Sequence, residues 1–212
     1  MATIELPTLP RGAPSMPPDE RARLVRRAQL LARLGLGWHG VEAAVALVAG
    51  IVAGSIALVG FGADSLIEAG AGVVLLWRFG GSRASSEAAE QRAQRLIGAS
   101  FFILAAYIAV ESVRSLGGHH PDVSWVGIGL ATLTLLTMPP LAIAKGRVGE
   151  ALGSSATKSE GRQNMLCAYL SGALLIGLGA NAAFGWWWAD PITALVIAAV
   201  AAREGREAWR GE

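Results

Sequence analysis

Apolar positions gather in six long blocks, 34–53, 55–77, 96–116, 123–144, 163–181 and 184–202, with polar segments between them. Each block is close to the roughly 20 residues an α-helix needs to cross a bilayer core. The pattern predicts an all-α membrane protein, a bundle of six transmembrane helices occupying residues 26–206. Residues 1–25 are expected to be a disordered cytoplasmic tail, since the first 20 hold five of the nine prolines and no long apolar core. Residues 207–212 form a short cytoplasmic end. Glycines fall mostly inside the blocks, where small residues let helices approach closely. Gly50 and Gly54 are four apart, and Gly172 and Gly177 lie in a similar setting.

Ionisable residues inside these blocks carry the chemistry. Between Arg33 and Arg78 there is no Lys or Arg, yet there are three carboxylates, Glu42, Asp64 and Glu68. Such groups are costly at bilayer depth, and those that persist face a bundle interior or mark an ion path. Asp64 and Glu68, four apart, share one helix face and repel each other unless a proton or cation lies between them. Glu42, with His39 one turn earlier, reads equally as a packing carboxylate and as a metal- or proton-handling one. Elsewhere the bland readings prevail. Glu111 and Arg114 form a local ion pair; His119 and His120 occupy an exterior turn beside Asp122; Trp186, Trp187 and Trp188 form an aromatic belt. Pro139 and Pro140 are expected to kink the fourth helix.

The chain has 212 residues, 53% of them hydrophobic, and a mean hydropathy of +0.46, too apolar for an ordinary soluble domain. A net charge of +2 does not indicate nucleic acid, because the basic residues follow topology rather than a patch. They alternate along the chain, with Arg114 alone on the opposite side, so the positive-inside rule places both termini in the cytoplasm of a multi-pass plasma-membrane protein. The single cysteine, Cys167, excludes an internal disulfide and is either inert packing or a ligand. No nucleophile and base pair can be placed at one depth, which argues against an enzyme.

The segment Gly54-Ser-Ile-Ala-Leu-Val-Gly-Phe-Gly-Ala-Asp64-Ser-Leu-Ile-Glu68 resembles the second helix of the cation diffusion facilitator family, and Trp188-Ala-Asp190-Pro191-Ile-Thr-Ala-Leu resembles the start of its sixth. Asp190 there suits a structural cap, with Pro191 in the first helical turn. The resemblance runs from Arg33 to Arg210. It implies a fifth helix completing a tetrahedral site with a His and an Asp four apart, and here this chain departs from the pattern. One alignment puts Gln163 and Cys167 at those positions; a shift of one residue selects Asn164 and Ala168; a third takes Glu160 with Asn164. The favoured reading makes Cys167 the deep ligand and Glu160 a carboxylate on the cytoplasmic access path. Family members usually continue into a cytoplasmic domain, whereas this chain ends nine residues after Arg203. That is similar to a truncated subgroup of the transmembrane protein 163 type.

The resemblance implies transport of a divalent metal ion, zinc foremost, out of the cytoplasm in exchange for protons, with the metal as substrate and no tightly bound cofactor. The alternative is a metal-binding membrane protein that regulates a partner without transporting. A homodimer, if it forms, is expected to use helix faces carrying small residues such as Gly50, Gly54 and Gly72.

Overall fold

The computed structural model describes residues 17–78, 87–118, 120–153 and 155–210. Among the described residues six helices form: α1 (Pro18–Ala53), α2 (Ile56–Arg78), α3 (Glu87–Ser115), α4 (Trp125–Leu152), α5 (Ser155–Phe184) and α6 (Ala189–Arg210). Local chemistry sets several boundaries. Proline opens α1, where its missing N–H costs nothing. Gly54 ends that helix in the left-handed conformation at φ 65, which favours glycine. Ser124 caps α4 by accepting the Gly127 N–H at 3.1 Å.

One expectation changes here. The chain is already helical from Pro18, eight residues before the expected start of the bundle; the first turns of α1 are polar and held by an Arg23–Asp19 ion pair of 3.2 Å. The remainder of the expected tail, residues 1–16, lies outside the described residues. Helix α4 continues unbroken through Pro139 and Pro140.

Four helices, α1, α3, α4 and α5, contain stretches long and apolar enough to cross a membrane. Their outer surface is apolar, with Val48, Val52, Ile103, Val113, Trp125, Leu136 and Ile176 each more than 60% exposed. Such a surface suits a lipid solvent and not water. Inside, Leu58, Phe61, Ile108, Met138, Leu174 and Ile197 are fully buried. Helices α2 and α6 are not among those four, and both carry ionisable side chains along their length.

The helices pack chiefly as three antiparallel pairs, α1 with α2, α4 with α5 and α3 with α6. Glycine permits the closest approaches. A Cβ on Gly50 would stand 2.8 Å from Val59, and one on Gly62 would stand 2.8 Å from the Leu47 backbone nitrogen. Gly98 and Gly205 face each other so closely that a Cβ on either would meet the other's carbonyl, at 2.9 and 3.1 Å. The expected use of Gly50 at a dimer face is therefore corrected. Gly50 is consumed by the α1–α2 crossing inside one chain, and Gly54 terminates α1; Gly72 lies outside the residues whose surroundings are described.

Asp190, expected as a structural cap at the start of the sixth helix, also has a long-range role. Its carboxylate reaches across to the start of α2, accepting hydrogen bonds from the Ile56 and Ala57 N–H groups at 2.9 and 3.3 Å and from the Ser55 hydroxyl. A carboxylate at a helix N-terminus satisfies donors that have no partner in their own helix and complements the macrodipole. Two further ties join this end of the bundle: Asp122 N–H to the Ala53 carbonyl at 2.8 Å, and Asn181 Nδ2 to the Pro121 carbonyl at 3.0 Å. Trp186 stacks on Trp188 with centroids 5.3 Å apart, and His120 packs against Trp187. His119 lies outside the described residues. The Glu111–Arg114 pair forms, at 2.6 Å.

Candidate metal centre

Spacing on two helices builds most of the centre. On α1, His39 and Glu42 are three apart and so share a face. Because α2 runs antiparallel against α1, its Glu68 lies opposite His39 and its Ser65 opposite Glu42. Helix α5 adds Cys167 and α4 adds Thr134. All six side chains are buried, with Glu42 and Cys167 at 0% exposure.

The distances are those of a ligand set. His39 Nδ1 is 3.3 Å from Glu42 Oε2 and 3.2 Å from Glu68 Oε2, and Cys167 Sγ is 3.6 Å from Glu42 Oε2. Donor atoms of His39, Glu42 and Cys167 all lie within 4.8 Å of one another. Ligands bound to zinc at about 2.0–2.3 Å in a tetrahedron are separated by roughly 3.3–3.8 Å, the tetrahedral edge. The observed spacings therefore need little adjustment to close around one ion. His39 Nδ1 thus stands in ion-pair contact with both carboxylates. A proton on the imidazole or a shared cation satisfies such a contact.

Glu42 is oriented from behind. Trp38 Nε1 donates to its Oε1 at 3.3 Å, as does the Thr134 hydroxyl, while the Ser65 hydroxyl donates to Oε2 at 2.9 Å. Such outer partners fix a ligand's position and tune its affinity. Gln163 hydrogen-bonds to Glu68 and plays a similar supporting part. Asp64 is buried at 3% exposure, in electrostatic reach of both Glu42 and the half-buried Glu204 of α6; like Glu68, it is not one of the three residues, His39, Glu42 and Cys167, whose donor atoms form the compact set. Burial first, and the neighbouring Glu207 second, hold the Glu204 carboxyl above its ordinary range.

The other two candidates on α5 belong to a different cluster. Lys145 of α4, only 3% exposed, places Nζ 3.2 Å from Glu160 Oε2 and donates to Asn164 Oδ1 at 3.1 Å; Asn164 in turn donates to Met138 Sδ at 3.1 Å. Gly35 of α1 makes room for the ammonium, since a Cβ there would be 2.7 Å from Nζ. Gly35 precedes Glu42 by seven residues, so the cluster lies about 10 Å from the centre along α1, on the side of the α1 N-terminus. Glu160 is thus ion-paired to Lys145, and Asn164 accepts a hydrogen bond from the same ammonium. Sequence reasoning named His39 only as a neighbour of Glu42. Its three-residue spacing from that acid was the available signal for a ligand.

Residues 38–210, which include every helix of this centre, match the cation efflux transmembrane domain. The chain is also 26% identical over 181 residues to an uncharacterized transporter of Synechocystis sp., a match that covers 81% of this chain and 58% of that protein. The chain thus spans under two thirds of that relative's length. The helices that bring His39, Glu42, Glu68 and Cys167 together are those of a recognised transmembrane domain, and the chain belongs to the cation efflux, or cation diffusion facilitator, family.

Proposed function

We propose that this protein carries a divalent transition-metal cation, zinc foremost, out of the cytoplasm in exchange for protons, and that all six helices cross the plasma membrane. The observation that supports this reading most directly is the close grouping of buried nitrogen, sulfur and carboxylate donors from His39, Glu42 and Cys167, all within 4.8 Å of one another. Imidazole, thiolate and carboxylate together suit zinc and its borderline neighbours better than magnesium or calcium. The ligands bind metal only when deprotonated, so acidification weakens binding, and protons arriving from outside would displace the ion. In this reading Asp64 and Glu204 hold positions from which they pass protons or metal between the cytoplasmic side and the centre. Basic residues of α1, the α4–α5 region and α6 cluster toward one end of the bundle, which the positive-inside rule assigns to the cytoplasm.

A second reading, a metal-binding membrane protein that regulates a partner without transport, is favoured by the tight hold on Glu42 from Trp38, Thr134 and Ser65, a trait suited to a resident ion. Purified protein in liposomes separates the two. Metal uptake coupled to proton flux supports transport, whereas saturable metal binding without flux supports the regulator. A metal panel in the same liposomes tests the sulfur ligand. Cys167→Ser is expected to weaken transport of zinc and cadmium more than that of manganese, because a soft thiolate favours the softer ions. Equal loss across the panel would remove Cys167 from the ligand set.

A further inference from the structure

A cavity of about 440 Å³ lies between α1 and α4, lined by Leu24 and Arg27 from the first and Pro140, Ile143, Ala144, Arg147 and Val148 from the second. Its size falls within the roughly 300–1,000 Å³ usual for small-ligand sites. The α4 residues recur every three or four positions and so form one stripe, with Pro140, Ile143 and Ala144 on the membrane side of Arg147. The lining holds two guanidiniums and no carboxylate. Neither Arg27 nor Arg147 has an ion-pair partner among the described residues, in contrast to Arg23, Arg114 and Arg203, which are paired to Asp19, Glu111 and Glu207. Both arginines lie toward the end of the bundle where Lys145 pairs with Glu160, beyond the apolar thickness that surrounds the metal centre.

From this geometry we propose that the cavity between α1 and α4 is a binding site for one anionic phospholipid, its phosphate held by Arg27 and Arg147 and its upper acyl chain lying on Pro140, Ile143 and Ala144. The proposal rests on α1 and α4 crossing a bilayer, and is separate from the transport reading. Guanidinium offers paired donors that match phosphate oxygens, and clusters of basic residues at the cytoplasmic face attract anionic headgroups. An acyl chain supplies what a free phosphate lacks, a partner for the apolar stripe.

The test uses the full chain in mild detergent, titrated with phosphatidylglycerol or phosphatidylcholine, with retained lipid counted by native mass spectrometry. One phosphatidylglycerol per chain is expected, bound about 30-fold more tightly than phosphatidylcholine, from the combined attraction of two arginines. The Arg27→Gln/Arg147→Gln double variant should lose most of that preference, while Arg203→Gln, whose charge is already paired, should keep it. Ala144→Phe fills the cavity without touching either charge and should also expel the lipid, a result that decides the matter if the double variant does not fold. Full preference retained in the double variant, or lipid retained by Ala144→Phe, would overturn the proposal. So would equal competition by soluble glycerol phosphate, which would identify a phosphate site instead. Metal binding should be unchanged in all these variants, so failure here leaves the transport reading standing.

Discussion

Glu68→Gln is expected to abolish metal-driven flux and to lower zinc affinity about 100-fold, as read by isothermal titration of the purified protein. Structural zinc sites are worth on the order of 10–16 kcal/mol, so each of four ligands carries about 3 kcal/mol, which is roughly two decades in affinity. Glutamine keeps the shape of the side chain, so the α1–α2 crossing at Gly50 and Gly62 should survive and helical content should be unchanged. With one of the buried carboxylates neutralised, thermal stability should hold or rise, since sites tuned for function often carry strain. Asp64→Asn supplies the contrast. Because Glu68 lies 3.2 Å from His39 Nδ1 whereas Asp64 reaches the centre only electrostatically, replacing Asp64 should reduce flux strongly but leave equilibrium affinity within a few-fold. An affinity loss as large as that of Glu68→Gln would instead make Asp64 a ligand.

Glu160→Gln is expected to destabilise the protein by about 2–4 kcal/mol, while Lys145→Met should be neutral or stabilising. Removing one partner of a buried ion pair leaves the other charge uncompensated, and that typically costs about 3–5 kcal/mol. The two halves of this pair differ in their access to water. Lys145 has 4% of its side chain exposed and Glu160 has 26%, so a stranded ammonium suffers more than a stranded carboxylate. Thermal unfolding followed by circular dichroism in one detergent should show a fall of several degrees for Glu160→Gln. Equal falls for both substitutions would mean that the pair is held by its geometry and not by this asymmetry of burial.

The helices were legible because the requirement to span a bilayer imposes long apolar blocks, and those blocks appear in the sequence without ambiguity. Their polar extensions were not. The first turns of α1, from Pro18 onward, are polar and helical, so hydropathy marks the bilayer boundary and misses the end of the helix. Glu42 and Glu68 stood out because acids in apolar blocks are expensive. Which of Glu160, Gln163, Asn164 and Cys167 comes near Glu42 and Glu68 depends on the rotation of α5 against its neighbours, which no local spacing encodes. In the sequence Lys145 is one more basic residue just past an apolar block, and only its burial against Gly35 reveals that it pairs with Glu160 and Asn164. Asp190 reads as a cap at the start of α6, and no local pattern names the partners it reaches on the α2 end, Ser55, Ile56 and Ala57, more than 130 residues away in sequence.

The chain's lone thiol is at the middle of the bundle, beside Glu42, with no exposed surface. The protein therefore carries its own reporter of water access. A small charged thiol reagent added to one side of a sealed vesicle can modify a single position, so the rate of its reaction measures how often the centre opens toward that side, with no engineered label. Metal bound at the same sulfur would protect it, and so occupancy and sidedness could be read from one trace. The same placement is also a vulnerability. Mercurials or oxidants that reach the centre would silence the molecule by acting on one atom.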